Sequence, residues 1–284
     1  MVANYRLGDL KDKMNRMRIH PLDVMITGVT GAGKSTTLNS FFGKYVAKVG
    51  KGVDPETMEL TSYTLNDNAR FWDTPGLGDG VSRDRIHAKK IIDLLYKTYK
   101  IDNKIYGWID LVLVIIEGVN RDMGTTYRLL NEIIIPNIQH DRILIAVNQA
   151  DVAMKGRHWN NYSNRPDTTL EDFLREQVNS IKRRIRETTG VNIVTPIYYS
   201  GEYNYNIERL MDLIIDNIPA QRRDLILAGS YDSKDAQDLY QRGNEYFYGW
   251  NGRAVDKEIA RQLYVKAANL GHVGAHNQLA KHFS

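Results

Sequence analysis

The segment from Gly28 to Thr36, with the sequence GVTGAGKST, constrains the fold of this chain more than any other feature. It fits the pattern GxxxxGK(S/T) and lies between an apolar stretch of strand length and a stretch of helical character, the context that this pattern requires. Glycines here let backbone N–H groups turn inward around phosphates, and the helix start adds the positive end of its dipole. Because both flanks fit, we prefer a phosphate-binding loop to a merely flexible glycine loop. The expected phosphate contacts are Gly28, Val29, Thr30, Gly31, Ala32, Gly33, Lys34, Ser35 and Thr36.

Stretches of strand and helix character alternate from residue 21 to residue 219. Leu111 to Ile116 is a continuous apolar run, as expected of a parallel strand covered on both faces. Met58 to Leu65 and Ala69 to Trp72 flank a turn signal and predict a hairpin, whose first strand is an antiparallel edge. The alternation predicts an α/β fold with a mainly parallel sheet. The other predicted strands are 23–27, 143–147 and 191–199, and the predicted helices are 35–42, 86–99, 125–135, 169–188 and 207–218.

The two ends of the chain have a different character from this α/β region. Leu7, Leu10, Met14 and Met17 form one helical stripe, which favours a helix packed on the domain over a partner-binding or membrane-surface helix. After Pro219 the pattern is helical only. We therefore predict a helix in 1–20, a domain in 21–219, a linker in 220–234 and a small all-helical unit in 235–284.

Composition limits the remaining possibilities. The chain of 284 residues has a net charge of +4, which is too small an excess to argue for nucleic acid by itself. It contains no cysteine, which excludes disulfides and thiolate metal sites and fits a reducing compartment. No apolar run approaches the roughly 20 residues of a membrane span. We expect a cytoplasmic protein.

A second motif, Asp73-Thr-Pro-Gly76, follows the strand that ends at Trp72. A carboxylate at the carboxyl end of a buried strand beside a phosphate loop can hold a water of Mg²⁺, and the Gly76 N–H can sense a γ-phosphate. Leu77-Gly-Asp-Gly80 then supplies a mobile loop. We predict a Mg²⁺ cofactor, with Lys34 bridging the β- and γ-phosphates and the Ser35 hydroxyl as a metal ligand.

A third motif, Asn148-Gln-Ala-Asp151, follows the strand at residues 143–147. Guanine presents two adjacent N–H donors, which one aspartate accepts as a bidentate pair, whereas adenine lacks them. Asp151 therefore predicts GTP or GDP over ATP, with Asn148 and Gln149 beside it. A backbone N–H near Ser200, after the next strand, is the expected contact for the guanine carbonyl.

These three motifs, in this order, make residues 21–219 resemble a Ras-like GTPase domain of the translation-factor-related class. The sequences GVTGAGKST and WDTPGLGDG are especially similar to septins, immunity-associated GTPases and bacterial Era-like or prophage-borne GTPases. The resemblance implies a three-layer fold, with a six-stranded sheet that has one antiparallel strand and with nucleotide at the carboxyl ends of the parallel strands.

Two residues depart from the family pattern, and a third position does not support potassium-dependent hydrolysis. Gln149 replaces the lysine that packs over the base, which predicts binding weaker by about 1 kcal/mol. Leu77 stands where Ras-like proteins have the glutamine that orients the attacking water. Gly31 stands where potassium-dependent relatives have an asparagine. The resemblance therefore implies slow hydrolysis unless a second copy or a partner supplies a catalytic group.

Spacing places the switch threonine, the second protein ligand of Mg²⁺, at Thr57, with Thr61 as the alternative. The predicted catalytic set is Lys34, Thr57 and Gly76, and the predicted metal set is Ser35, Thr57 and Asp73, the last through water. A charge-stabilising cation in trans is more weakly indicated, because each candidate is better explained as a solvated surface charge. The candidates are Arg83, Arg85, Arg121 and Lys51.

The carboxyl-terminal helices resemble a SEL-one-like repeat, a relative of the tetratricopeptide repeat with small residues where its helices touch. The resemblance rests on Gly243, Gly249, Ala260, Ala267-Ala268 and Gly271-His272. One repeat and a fraction is short for an independent array, so we expect these helices to dock on the main domain rather than pair with another chain.

Two functions remain open from the sequence. The first is a Mg²⁺-dependent GTPase that works as a slow conformational switch, with a possible homodimer through the nucleotide face. The second is a GTP-dependent assembly or adaptor module with negligible hydrolysis, which reaches a protein partner through residues 235–284. No motif supports binding to nucleic acid or the ribosome.

Overall fold

The computed structural model describes residues 4–18, 21–43, 61–65, 68–101, 104–118, 123–223 and 233–283. The amino-terminal half begins with helix α1 and continues into alternating strands and helices. Its elements are α1 (Leu7–Met17), β1 (Leu22–Gly28), α2 (Lys34–Phe42), β2 (Thr61–Leu65), β3 (Ala69–Asp73), α3 (Val81–Leu95), β4 (Thr98–Ile101), β5 (Lys104–Gly107) and β6 (Leu111–Glu117).

The remaining elements continue this alternation and end in three helices. They are α4 (Gly124–Arg128), which runs into a π-helical turn (Leu129–Ile134), then β7 (Ile143–Asn148), β8 (Trp159–Asn160), β9 (Arg165–Pro166), α5 (Thr168–Thr189), β10 (Ile197–Tyr198), α6 (Ile207–Asp216), α7 (Ser233–Tyr248), α8 (Lys257–Asn269) and α9 (Val273–His282). Short 3₁₀ turns lie at His140–Arg142, Ala153–Gly156 and Trp250–Gly252.

Within the described residues the main sheet has six strands in the order β10-β7-β6-β1-β3-β2. All neighbours pair in parallel except β2, which runs antiparallel to β3 at the edge. This arrangement confirms the predicted α/β class with a mainly parallel six-stranded sheet and one antiparallel strand. The carboxyl ends of the five parallel strands meet at one edge of the sheet.

Two apolar layers cover the sheet, because successive side chains of a strand point to opposite faces. On β1, Val24 and Ile26 belong to the layer under α1, α2 and α6, whereas Met25 belongs to the layer under α3, α4 and α5. In α1, Leu10 and Met14 are buried in the first of these layers, as its apolar stripe predicted. Arg6 adds ion pairs of 2.7 Å and 2.9 Å to Asp212 and Asp216.

Some predicted boundaries were wrong. The predicted strand at residues 191–199 shrinks to Ile197–Tyr198, because Val191 and Ile193 are buried in the core without pairing to β7. The predicted helix at residues 86–99 instead begins at Val81 and ends at Leu95, and its last two predicted residues, Thr98 and Tyr99, begin β4. The small β8–β9 hairpin was not predicted. The region 58–60 of the predicted edge strand lies outside the described residues.

The three carboxyl-terminal helices pack on the main domain. Trp250 is 6% exposed and stacks on Tyr248, and both contact the core layer that contains α3. Gln241 on α7 donates to the Asp93 carboxylate on α3. Gly274 on α9 approaches Tyr96 so closely that a Cβ would lie 2.6 Å from the phenol oxygen. Docking on the domain is therefore what the structure shows for these helices.

A buried histidine lies in this contact. The rings of Tyr240 and His272 stack at 4.2 Å, and His272 Nδ1 accepts the Ala275 N–H at the start of α9. Burial lowers the His272 pKa to about 3, so the ring is neutral over the physiological range. None of the described helices is both long enough and apolar enough to cross a membrane.

Candidate nucleotide-binding site

The phosphate loop lies between the end of β1 and the start of α2, at the carboxyl edge of the sheet. Lys34, the first residue of α2, folds back over the loop, and its ammonium donates to the carbonyls of Val29 at 3.0 Å and Gly28 at 3.4 Å. Burial lowers the Lys34 pKa, and the carboxylates of Asp73, Asp79 and Glu117 oppose this effect. The loop thus encloses a cation beside the backbone N–H groups of the helix start.

The glycine at position 33 is required by space as well as by conformation. Its φ is 84°, and a Cβ there would lie 2.2 Å from the Asn148 side-chain nitrogen. The phosphate loop and the end of β7 therefore touch through a position that only glycine can occupy. The contact fixes the loop against the strand that carries the third motif.

Asp73 is the last residue of β3 and lies next to Lys34, and its surroundings fit a cation site. Burial raises the Asp73 pKa to about 6, although Lys34 and the Thr74 N–H both favour its ionised form. Its Oδ1 is buried and has no hydrogen-bond partner in the protein. A buried carboxylate oxygen without a partner fits a hydrated Mg²⁺, because a water of the ion would donate to that oxygen. The Ser35 hydroxyl would bind the same ion.

The segment after Asp73 pairs with the phosphate loop. Val29 and Leu77 form an isolated parallel bridge, in which the Thr30 N–H donates to the Leu77 carbonyl at 2.8 Å. A Cβ on Gly76 would lie 2.7 Å from the backbone nitrogen of Thr30, so the two loops are in direct contact there. Leu77 itself is 2% exposed and belongs to the core. The side chain at the usual water-orienting position is therefore packed inward.

Asn148 joins three loops rather than standing alone. Its side-chain nitrogen donates to the Ala32 carbonyl at 3.0 Å, and its side-chain oxygen accepts the Gly201 N–H at 3.0 Å. The next residue, Gln149, has a φ of 63°, and its amide donates to the Gly31 carbonyl at 2.9 Å. Asp151 follows in a turn at the same edge and is partly exposed. Whether Gln149 packs over a base stays a prediction.

The loop after β10 is tied to α2. Tyr199 is fully buried and shares a 2.6 Å hydrogen bond with the Thr37 hydroxyl, while the Ser40 hydroxyl donates to the Gly201 carbonyl. Ser200 lies in the predicted place, but its N–H donates to the Tyr205 carbonyl at 3.0 Å. A contact from this loop to guanine stays a prediction.

The structure thus brings the three motifs together at one edge of the sheet. Thr57 lies outside the described residues, as do the candidate cations Lys51 and Arg121. The side chain of Thr61 is likewise not described. Arg83 is exposed on α3, and Arg85 lines a cleft between α3 and α7.

Three further residues of the site were missed. Glu117, at the carboxyl end of β6, lies close to the loop, since a Cβ on Gly31 would be 3.2 Å from its carboxylate. Its position after a parallel strand next to β1 was a usable signal. Asp84 and His87 on α3 contact the segment 76–79, and no spacing in the sequence indicated this.

Comparison with known proteins agrees with this geometry. Residues 23–149, a little under half of the chain, match the model of the 50S ribosome-binding GTPase family. This match contains the phosphate loop, the Asp73 motif and the start of the Asn148 motif. A search of curated proteins found no match.

Solved structures show the fold. Toc33 from Arabidopsis thaliana, in complex with GDP and Mg²⁺, is 19% identical, with a TM-score of 0.55 over 78% of this chain and 94% of that chain. A dimerisation-deficient mutant of the same Toc33 is 17% identical, with a TM-score of 0.53 over 76% of this chain and 93% of that chain. A third structure, described with the statement that dimerisation is important for the GTPase activity of the chloroplast translocon components atToc33 and psToc159, is 17% identical, with a TM-score of 0.55 over 78% of this chain and 92% of that chain.

The sheet order, the three motifs and the family match lead to one conclusion. The chain contains a GTP-binding domain of the P-loop GTPase class.

Proposed function

We propose that this protein binds Mg²⁺ and GTP and slowly hydrolyses the GTP to GDP and phosphate as a conformational switch. One observation carries the proposal: the partly buried Asp73 carboxylate, whose buried Oδ1 has no partner, lies beside the enclosed Lys34 ammonium under the phosphate loop. Removing charged groups from water costs free energy, and the cost is offset only when each charge has partners. A nucleotide phosphate with its cation supplies the missing partners for both.

In the proposed site, Lys34 leaves the carbonyls of Gly28 and Val29 and bridges the β- and γ-phosphates, while the loop amides of residues 30–36 surround the phosphate oxygens. Mg²⁺, when bound, would neutralise charge on the phosphates, and Ser35, Asp73 through water and Thr57 are its proposed protein ligands. Gly76 turns its N–H toward the γ-phosphate. Loss of that phosphate releases the contacts of Thr57 and Gly76 and loosens both segments.

Base recognition is proposed to depend on Asp151, with Asn148 as a positioning residue and Gln149 and the Ser200 loop beside the base. Replacing Asp151 by Asn removes the charged acceptor, so guanine nucleotides should bind about 100-fold more weakly. Xanthine has an oxygen where guanine has the amino group, so the new amide should favour xanthine nucleotides. Titration of wild type, D151N and K34A with GDP and XDP measures this.

If D151N binds GDP as tightly as the wild type does, the proposed account of base recognition is wrong. K34A serves as the comparison because it should weaken both nucleotides without changing the preference between bases. A loss of that preference in K34A would show that the phosphate contacts, rather than Asp151, determine base selection.

Slow turnover is proposed because Leu77 is packed into the core and offers no polar group to a water. A second copy across the nucleotide face is the proposed source of the missing group, and the dimer-dependent GTPase activity stated for atToc33 and psToc159 supports this idea. Turnover per molecule should rise with protein concentration until a dimer is saturated. A rate that is measurable and constant over that range would exclude the dimer requirement.

The second candidate is an assembly or adaptor module with negligible hydrolysis, which would work through residues 235–284. The same burial of Leu77 favours it, and so does the attachment of a helical unit to the α3 side of the domain. Absence of turnover at every protein concentration, together with GTP-dependent capture of a partner that is lost on deleting residues 235–284, would favour this candidate over the switch enzyme.

A further inference from the structure

Two side chains of α3 hold the segment that follows the Asp73 motif. His87 Nδ1 lies 2.6 Å from the Gly76 carbonyl oxygen. Asp84 accepts the N–H groups of Gly78 at 2.8 Å and Asp79 at 3.2 Å through one carboxylate oxygen. The two residues are three apart and therefore project from one face of the helix. Segment 76–79 is thus held by one donor and one acceptor from the same rigid element.

The His87 contact requires a proton on Nδ1. A carbonyl oxygen only accepts, so Nδ1 must carry the proton and donate it. The neutral ring is then the Nδ1–H tautomer, with Nε2 as its acceptor. This tautomer is fixed by one backbone carbonyl, that of Gly76.

The peptide that joins Gly76 to Leu77 is held at both ends. Its carbonyl accepts from His87, and its N–H, on Leu77, faces the Gly28 carbonyl of the phosphate loop at 3.4 Å. Gly76 also lies directly against Thr30, with no space for a Cβ. Holding this peptide fixes the carbonyl side of the Gly76 Cα, so it limits where the Gly76 N–H on the other side of that Cα can point.

We propose that His87 is a positioning residue for γ-phosphate recognition, which orients the Gly76–Leu77 peptide through its Nδ1–H. This inference rests on the proposed GTP function and adds the residue that holds the sensing glycine in place. His87 does not touch the nucleotide in this account; it acts only through the backbone of Gly76. The affinity for GDP, which lacks the γ-phosphate, should therefore not depend on His87.

The test compares GDP and a non-hydrolysable GTP analogue in titrations of the full chain. In H87A the analogue should bind about three- to tenfold more weakly, the effect of losing one hydrogen bond, while GDP affinity stays within about twofold. H87N should restore analogue binding, because the Asn side-chain nitrogen is as far from Cβ as His Nδ1. H87Q places its nitrogen one bond further and should not restore it. H276A, which removes an exposed histidine of α9, is the matched control and should match the wild type.

A second readout does not depend on nucleotide. Nitrogen NMR should show the His87 ring protonated at Nδ1, with a signal that disappears in H87A and remains in H276A. Urea unfolding shows whether each variant is folded. Equal behaviour of H87N and H87A, a parallel fall in GDP and analogue affinity, or an Nε2–H ring at His87 would each overturn the proposal. If the wild type binds neither nucleotide, the proposed function fails with it, whereas a failure confined to the variants leaves the GTP site intact.

Discussion

At the scale of single residues, the site concentrates charges that the fold partly buries. Lys34 is surrounded by Asp73, Asp79 and Glu117, and burial shifts the pKa of Lys34 downward and those of Asp73 and Glu117 upward. All three shifts favour the neutral forms, so the protein alone does not fully stabilise the charges that nucleotide binding requires. Perturbed groups of this kind at the carboxyl edge of a parallel sheet are typical of functional sites.

In the proposed site, Asp73 should make the binding of Mg²⁺ depend on pH. Its pKa is about 6 in the folded protein against 3.8 for an unperturbed carboxyl, so the folded state keeps this proton to higher pH than the unfolded chain. The stability that protonation contributes is present below about pH 4 and is lost as the pH rises through 6. The metal needs the ionised form, so its affinity should rise over the same interval.

We therefore expect Mg²⁺-dependent GTP binding to be about tenfold weaker at pH 5 than above pH 7, one unit on the protonated side of the Asp73 pKa. D73N should bind Mg²⁺ weakly at every pH and should lose this component of the pH dependence. Titrations of both proteins at several pH values separate Asp73 from the protonation of GTP itself, which is common to both. An unchanged pH profile in D73N would assign the effect to the nucleotide.

At the scale of elements, the ends of the parallel strands are tied to one another by side chains. Asn148, at the end of β7, is 2% exposed and connects the phosphate loop after β1 with the loop after β10. Tyr199 and Ser40 tie the same loop to α2. The site is therefore held by cross-connections between elements that are distant in sequence.

Replacing Asn148 by Ala should lower the free energy of unfolding by about 2 kcal/mol, because the Ala32 carbonyl and the Gly201 N–H lose their partners in a buried place. Urea unfolding without nucleotide measures this. GDP and the GTP analogue should weaken together, because both use the braced loop. A selective loss of the analogue, as expected for H87A, would show that Asn148 acts on the γ-phosphate instead.

At the scale of the whole molecule, the carboxyl-terminal helices extend the core of the GTPase domain. Near its start, α3 binds segment 76–79 through Asp84 and His87. Along its later turns, α3 contacts Gln241 and the region around Trp250. Arg223, which follows α6 and is fully buried, donates to the carbonyls of Leu95 and Asn137 near this contact. Trp250 and Tyr248 therefore share the core layer of the domain, while Tyr240, Tyr264 and the alanines of α8 form a cluster of their own beside it.

This sharing predicts cooperative unfolding. Wild type should unfold in one transition followed by both fluorescence and circular dichroism, and W250A should lower the free energy of unfolding by about 3 kcal/mol through the cavity it leaves. V273A, at an exposed position of α9, is a control that should change stability little. Two separate transitions in the wild type would mean that the terminal helices fold independently of the domain.

The sequence by itself determined the class of fold, the Asp73 and Asn148 motifs and the position of the phosphate loop. These features are local: continuous apolar runs, glycines between a strand and a helix, and carboxylates that follow strands. The predicted strand at residues 191–199 was too long for the converse reason. Apolar residues can be buried without pairing, and whether they pair depends on the neighbouring strand. The β4–β5 and β8–β9 hairpins were not predicted, because short strands carry little periodic signal.

Only the tertiary structure decided how the motifs are connected. That Asn148 braces two loops, that Leu77 turns into the core and that His87 holds Gly76 depends on contacts between residues brought together by the sheet and by α3. The docking of α7–α9 likewise depends on a surface formed by α3 and the π-helical turn. A sequence pattern specifies which side chain can donate or accept, whereas the partner is specified by the distance that folding creates.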